Sequence, residues 1–201
     1  MIALALVFAI LQPGSASAAV QKTTGQVRSA MDRYVKAKGP TKNKAREEAR
    51  AAVGQLIDFD ALAKSTLGKK WDDLKPADQK RYVTALRGAM EANYLVKMGQ
   101  AKAEDVARAK TDIGGEEKQG ERTVVKTTVK SGQDTAAIDY VMEKAPRGWR
   151  AVDVITEGVS LAETYREQVG KLLPKKGIDG VISALEKKKK ALESELDTPS
   201  K

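Results

Sequence analysis

Val20, Thr24, Val27, Met31 and Tyr34 advance along the chain by steps of four and three residues. That spacing puts them on one face of a helix, which Lys38-Gly39-Pro40 stops. Ala45, Ala49, Val53 and Leu56 mark a second helix with a charged opposite side (Lys44, Glu47, Glu48, Arg50). A third, short helix is expected over 59–68, with Gly68 at its C-terminal end and Asp58 and Asp60 as caps at its N-terminal end. The strongest helical pattern covers 76–98. Pro76 suits a first helical position and Asp78 the positive end of the dipole, whereas Lys75 is a poor cap. Tyr82, Leu86, Met90, Tyr94 and Met98 recur every four residues. At 3.6 residues per turn such a row drifts by about 40° per step, so it can wrap a curved surface.

From about 105 to 156 the period changes to two. A weak first strand is expected near 105–113, where Ala and Lys are poor strand formers. A second runs from Glu121 to Lys130, with Val125 and Val129 on one face. In the third, Ala136, Ile138, Tyr140 and Met142 alternate with Ala137, Asp139, Val141 and Glu143. The fourth is Trp149 to Ile155. Ser131-Gly132 and Ala145-Pro146-Arg147-Gly148 are short turns, so these about four strands form an antiparallel meander. Beyond Gly158, Ser160 and Glu163 form a capping box ahead of Leu161, Tyr165, Val169 and Leu172. Pro174 is expected to end that helix, and Ile178, Ile182 and Leu185 line a last one. Helices, a meander, then helices predict a single α+β domain with one sheet face covered.

Composition narrows the chemistry. The 201 residues contain no Cys and no His, which excludes disulfides, thiolate or imidazole metal ligands, and Ser-His or Cys-His catalysis. The charged fraction of 31% excludes a polytopic membrane protein. The net charge of +9 is uneven: residues 19–50 hold nine basic against three acidic residues, and 187–201 hold five against three. Basic ends attract phosphate-bearing surfaces. Met1 to Leu11 is almost wholly apolar and leads to Ala16-x-Ala18, the pattern of a secretory signal cleaved after Ala18, although no Lys or Arg precedes the run. With no cysteine present, no lipid anchor is expected, and export argues against a nucleic-acid partner. The expected division is a leader over 1–18, an α+β domain over 19–186, and a basic helix end with a frayed tail over 187–201.

The stretch Gly148-Trp149-Arg150-Ala151-Val152-Asp153-Val154-Ile155-Thr156-Glu157-Gly158-Val159-Ser160-Leu161 resembles the signature of the MlaC family of periplasmic phospholipid-binding proteins. The resemblance extends through Tyr165-Arg166-Glu167-Gln168 and Gly177-Ile178-Asp179-Gly180-Val181. Upstream it includes Asp58-Phe59-Asp60, Leu67-Gly68, Trp71, Leu74, Pro76 and Gln79. The chain departs from the family's usual residues at Lys75, Val152, Thr164 and Val169.

The resemblance implies a twisted antiparallel sheet curled around helices, with one apolar cavity between them that takes a phospholipid tails-first. It implies a periplasmic shuttle, a monomer with no cofactor besides its lipid, whose work maintains membrane lipid asymmetry. Its partners would be an inner-membrane ABC transporter bearing an MCE-domain ring and an outer-membrane lipoprotein–porin complex. The apolar rows then name the candidate lining: Tyr82, Leu86, Met90 and Tyr94 from the long helix. Val125, Val129, Ile138, Tyr140, Val152 and Val154 come from the sheet, and Val159, Leu161 and Tyr165 from the signature. Lys187, Lys188, Lys189 and Lys190 are candidates for docking onto a membrane or partner, although such a run is also what a solvated helix face looks like. Two other classes compete. A cone-shaped α+β isomerase or dehydratase would need a His, which the sequence lacks, or a buried Asp–Tyr pair, for which Asp139 and Asp153 are the nearest carboxylates; a polyanion-binding module would use the basic ends.

Overall fold

The computed structural model describes residues 14–146 and 148–197. The apolar run Met1 to Leu11 lies outside them. Helix α1 (Ala16–Lys36) starts one turn earlier than its apolar row requires, because Ser15 caps it by accepting the Ala18 N–H at 3.1 Å. Ala16, Ser17 and Val20 are buried, and the Ser17 N–H donates to Glu116 Oε1 at 2.6 Å. The residues of the small-residue pattern are therefore part of the packed helix. Helix α2 (Thr41–Leu56) turns back along α1, tied to it by Arg33 and Glu48 at 3.1 Å. Helix α3 (Phe59–Leu67) is capped by Asp58, whose Oδ1 accepts the Ala61 N–H, and it ends at Gly68 with φ of 57°. A 3-10 turn (Gly68–Trp71) leads to the long helix α4 (Pro76–Gly99), which starts with Pro in its first turn and no side-chain cap from Lys75.

The expected strand near 105–113 is corrected by the structure. Glu104 and Asp105 favour a helix start, and a short helix α5 (Ala103–Arg108) forms there. Strand β1 (Lys110–Gln119) follows, with a register shift between Ile113 and Gly115 that Gly115 absorbs at φ of 136°. Strands β2 (Arg122–Ser131), β3 (Asp134–Ala145) and β4 (Gly148–Thr156) complete the meander. A two-residue strand β5 (Val159–Ser160) makes five strands among the described residues rather than about four, all antiparallel, in the order β1-β2-β3-β4-β5.

Helix α6 (Leu161–Asp197) also differs from expectation. It passes through Pro174 and breaks at Gly177 (φ 62°, ψ −175°). Proline removes one N–H but keeps a helical φ, whereas the sharp turn needs a positive φ, which glycine adopts without strain. The second limb, 178–197, lies beside α4 in the same direction: Arg81 pairs with Asp179 at one end, and Gln100 bonds Glu195 at the other. Leu196 is buried, so helix and packing continue well past residue 187.

The main core lies between the helices and one sheet face. It joins Val20 and Met31 of α1, Leu62 of α3, Tyr82 and Leu86 of α4, Val125, Met142 and Ala151 of the sheet, and Val181 of α6. The other face is not bare as expected. Val124, Val141 and Val152 form a small second cluster there, closed by Ala61 and Ile155. Segment 57–58 runs along the free edge of β4, with the Asp58 N–H donating to the Ala151 carbonyl at 2.8 Å. This brings α3 around that edge.

Candidate functional site

The inner sheet face changes character along the strands. At one end Thr123, Val125, Met142 and Ala151 are buried under the helices. At the other end the same face carries Val129, Ala136, Ile138 and Val154, all only half-buried. Leu161 is half-buried and packs against the core from the start of α6. Val159 of β5, paired with Thr156, is 62% exposed. An apolar rim therefore continues the core out to solvent at the β4–β5 end of the sheet.

Four tyrosines line the ground between core and rim. On α4, the Tyr82 hydroxyl lies 2.7 Å from Thr66 Oγ1 of α3. Thr66 spends its own hydrogen on the Ala63 carbonyl at 2.8 Å, so Tyr82 is the donor. Burial pushes Tyr82 up to about 12, and the nearby Tyr165 adds to the shift. Tyr165 itself is pushed up to about 12 by burial, and the Lys188 ammonium stands 5.2 Å from the centre of its ring. Three turns of helix beyond Tyr82, Tyr94 is half-buried and packs against the core. Burial raises it to about 12. Tyr140 of β3 is raised still further by burial and by the proximity of Tyr94. Neutral phenols in an apolar setting are hydrogen-bond donors and poor acids at neutral pH.

Among the described residues no group of three or more acidic side chains is placed to hold a metal ion. Asp139 lies on the sheet face opposite Tyr140 and pairs with Lys126 at 2.7 Å. Asp153 is fully engaged: its Oδ1 accepts the N–H groups of Val154 and Ala162, and its Oδ2 accepts the Ser160 hydroxyl. Neither carboxylate forms the Asp–Tyr pair that acid–base chemistry on this face would use.

A family model described as "MlaC protein" matches residues 15–187. The chain belongs to the MlaC family. A solved structure of similar fold is that of a phospholipid-binding protein from Ralstonia solanacearum in complex with a phospholipid. The two share 19% sequence identity at a TM-score of 0.70, over 87% of this chain and 98% of the other.

In this MlaC chain the signature stretch builds a junction. Asp153 holds the first turn of α6 through Ala162, and Ser160 Oγ accepts the Glu163 N–H at 3.0 Å. Glu157 (φ 50°) and Gly158 (φ 78°) form the tight turn between β4 and β5. Glu157 exchanges two bonds with Ala137: its N–H donates to the Ala137 carbonyl at 3.0 Å, and its carboxylate accepts the Ala137 N–H at 2.5 Å. The role of Glu157 is thus to extend the β3–β4 ladder past a turn that few side chains adopt.

The structure gathers most of the predicted lining. Tyr82, Leu86, Met90, Val125, Tyr140 and Tyr165 are buried in the main core. Tyr94, Ile138, Val154 and Leu161 pack against it half-buried, and Val129 is half-buried on the same sheet face. Two residues fall elsewhere. Val152 sits in the second cluster, because a register shift beside Val141 and Met142 turns it away from the inner face. Val159 points to solvent beyond the tight turn. The four lysines also divide. Lys187 and Lys190 are exposed, Lys188 lies over Tyr165, and Lys189 crosses Gly88 and approaches Glu193 at 3.8 Å. The sequence patterns missed Met142 and Thr66; Met142 was legible from its place two residues beyond Tyr140 in the alternation, Thr66 was not.

Proposed function

We propose that this protein is a periplasmic carrier of phospholipids, which takes the acyl chains between its helices and the inner sheet face and leaves the headgroup at the rim. The observation that carries the reading is the apolar rim of Val129, Ala136, Ile138 and Val154, continuous with a buried core yet itself half-open. Membership of the MlaC family and the fold shared with a protein bound to phospholipid point the same way. Each methylene costs about 0.8 kcal/mol to expose, so two chains of roughly 16 carbons cost on the order of 25 kcal/mol in water. A carrier must offer an apolar interior of matching size. In this reading the apolar run of residues 1–11 belongs to an export signal, and the lipid-binding domain runs from α1 through the second limb of α6. The carrier passes lipid between an outer-membrane lipoprotein–porin complex and an inner-membrane transporter with an MCE-domain ring, which maintains lipid asymmetry. Lys187 and Lys190, both exposed on the second limb of α6, steer docking onto acidic surfaces.

The test is native mass spectrometry, with lipid extraction, of protein purified from an envelope fraction. Phospholipid at a fixed stoichiometry is expected. Absence of lipid, together with failure to take it up from vesicles, refutes the reading. Ile138→Trp and Val129→Trp probe the rim directly. Overpacking a filled core costs about 1–3 kcal/mol, whereas narrowing a lipid space lowers lipid content while the melting temperature stays close to wild type.

A further inference from the structure

Among the tyrosines at the helix–sheet interface, the hydroxyls of Tyr94, Tyr140 and Tyr165 have no hydrogen-bond partner among the described residues. Tyr82 donates to Thr66, and Tyr165 stands on α6 with its ring against Lys188. For Tyr94 and Tyr140 no hydrogen-bond partner exists among the described residues, although Tyr140 is only 7% exposed. Neither of these hydroxyl oxygens is wholly buried, so each reaches open space from a ring packed in or against the core and can take a partner from outside the fold. The position of these two is specific. Tyr140 is paired across the sheet with buried Val125 on one side and half-buried Val154 on the other. It stands where the closed core gives way to the rim, and Tyr94 of α4 packs half-buried against the same core, adding to the rise that burial gives Tyr140. Its neighbours on the strand, Ile138 and Met142, offer no polar atom on this face, and the nearest carboxylate in sequence, Asp139, is turned away toward Lys126.

We infer that the Tyr94 and Tyr140 hydroxyls form a donor pair for the acyl-ester carbonyls of a bound diacyl lipid. The inference rests on the carrier reading above and goes beyond it by assigning the polar contact and the chemistry it selects. A phospholipid has two kinds of acceptor. The phosphate is charged and stays in water at the rim. The ester carbonyls sit at the head of each acyl chain, are neutral, and can enter an apolar site only if something donates to them. Two neutral phenols that keep their protons far above neutral pH are suited to that task. An ether linkage has no carbonyl and is a weak acceptor, so a diether lipid would leave both donors unpaired.

The experiment loads delipidated protein from vesicles holding equal amounts of diester and diether phosphatidylglycerol with matched chains, and counts bound lipid by native mass spectrometry. Wild type is expected to favour the diester about tenfold, the ratio that about 1.4 kcal/mol gives. Tyr94→Phe and Tyr140→Phe should each lower the ratio, and the double variant should bring it close to one. Tyr34→Phe, at a tyrosine of α1 outside the named lining, should leave it unchanged. A second measurement does not depend on competition: the infrared carbonyl band of a carbonyl-labelled diester should shift to lower frequency on binding wild type, shift less on binding either single variant, and not shift on binding the double variant. Equal uptake of the two lipids by wild type, or a preference that survives in the double variant, overturns the inference while the carrier reading stands. Uptake of neither lipid by wild type overturns both.

Discussion

Tyr82 and Tyr140 sit in one core on neighbouring elements, yet their hydroxyls have different fates. The Tyr82 hydroxyl is locked to Thr66 at 2.7 Å, so its removal should cost about 1 kcal/mol. The Tyr140 hydroxyl has no partner among the described residues and is not wholly buried, so its removal should cost close to nothing in the lipid-free protein. Urea denaturation of lipid-free Tyr82→Phe and Tyr140→Phe checks this: the first midpoint is expected to fall and the second to hold. A matching fall for both would mean that the Tyr140 hydroxyl has a partner in the folded protein. At the same scale, Glu157 shows how a residue with no legible chemistry acquires a role. Its positive φ and its carboxylate bond to Ala137 are both consequences of the turn it occupies.

At the scale of elements, the entry into α6 is tied by several side-chain hydrogen bonds. Asp153 alone accepts from Val154, Ser160 and Ala162. Asp153→Ala removes an acceptor charge from the N-terminal end of a long helix, and about 2 kcal/mol of destabilisation is expected from the lost cap and charged hydrogen bonds. For a domain of this size that is a drop of roughly 4–8 °C in melting temperature, with Asp153→Asn restoring part of it. An unchanged melting temperature would show that the junction contributes little and leave its place in the family signature without this explanation. The lysine run divides along the same helix. Lys188→Gln loses its contact with the Tyr165 ring and should cost up to about 1 kcal/mol. Joint replacement of Lys187 and Lys190 by Gln should leave stability unchanged and slow lipid exchange with anionic vesicles. The deficit should shrink as salt is raised, because steering is screened beyond about 8 Å at physiological ionic strength. Exchange rates equal to wild type at low salt would identify these two as a solvated face.

At the scale of the whole molecule, the tyrosines couple stability to alkaline pH. An unfolded tyrosine titrates near 10, whereas Tyr82, Tyr94 and Tyr165 are held up to about 12. Between those values the unfolded chain loses protons that the folded chain keeps, so stability is intact below pH 10 and falls as pH rises toward 12. Each such group contributes about 1.4 kcal/mol per pH unit, enough in combination to unfold a domain of ordinary stability. Tyrosinate absorbance should therefore appear together with loss of the helical circular dichroism signal. A gradual titration centred near 10 with the helical signal retained would place these rings in contact with water.

The elements and the family were legible in the chain itself. Helical spacing marked α1 to α4, the alternation through Ile138, Tyr140 and Met142 marked β3, and the run from Gly148 to Leu161 pointed to MlaC. These are local signals, set by side-chain period, turn chemistry and short motifs. What only the tertiary structure decided is non-local. The strand at 110–119 has little propensity of its own and exists because β2 pairs with it. The helix carried on through Pro174 and turned at Gly177, where a positive φ was needed. A register shift of one residue in β4 sent Val152 to the far face and kept Val154 on the inner one. The pairing of Tyr82 with Thr66, and the lack of any such partner for Tyr94 and Tyr140 among the described residues, depends on helices and a sheet meeting at a particular depth. No periodicity encodes that meeting, because each side chain's neighbours come from distant parts of the chain and are chosen by how the faces pack.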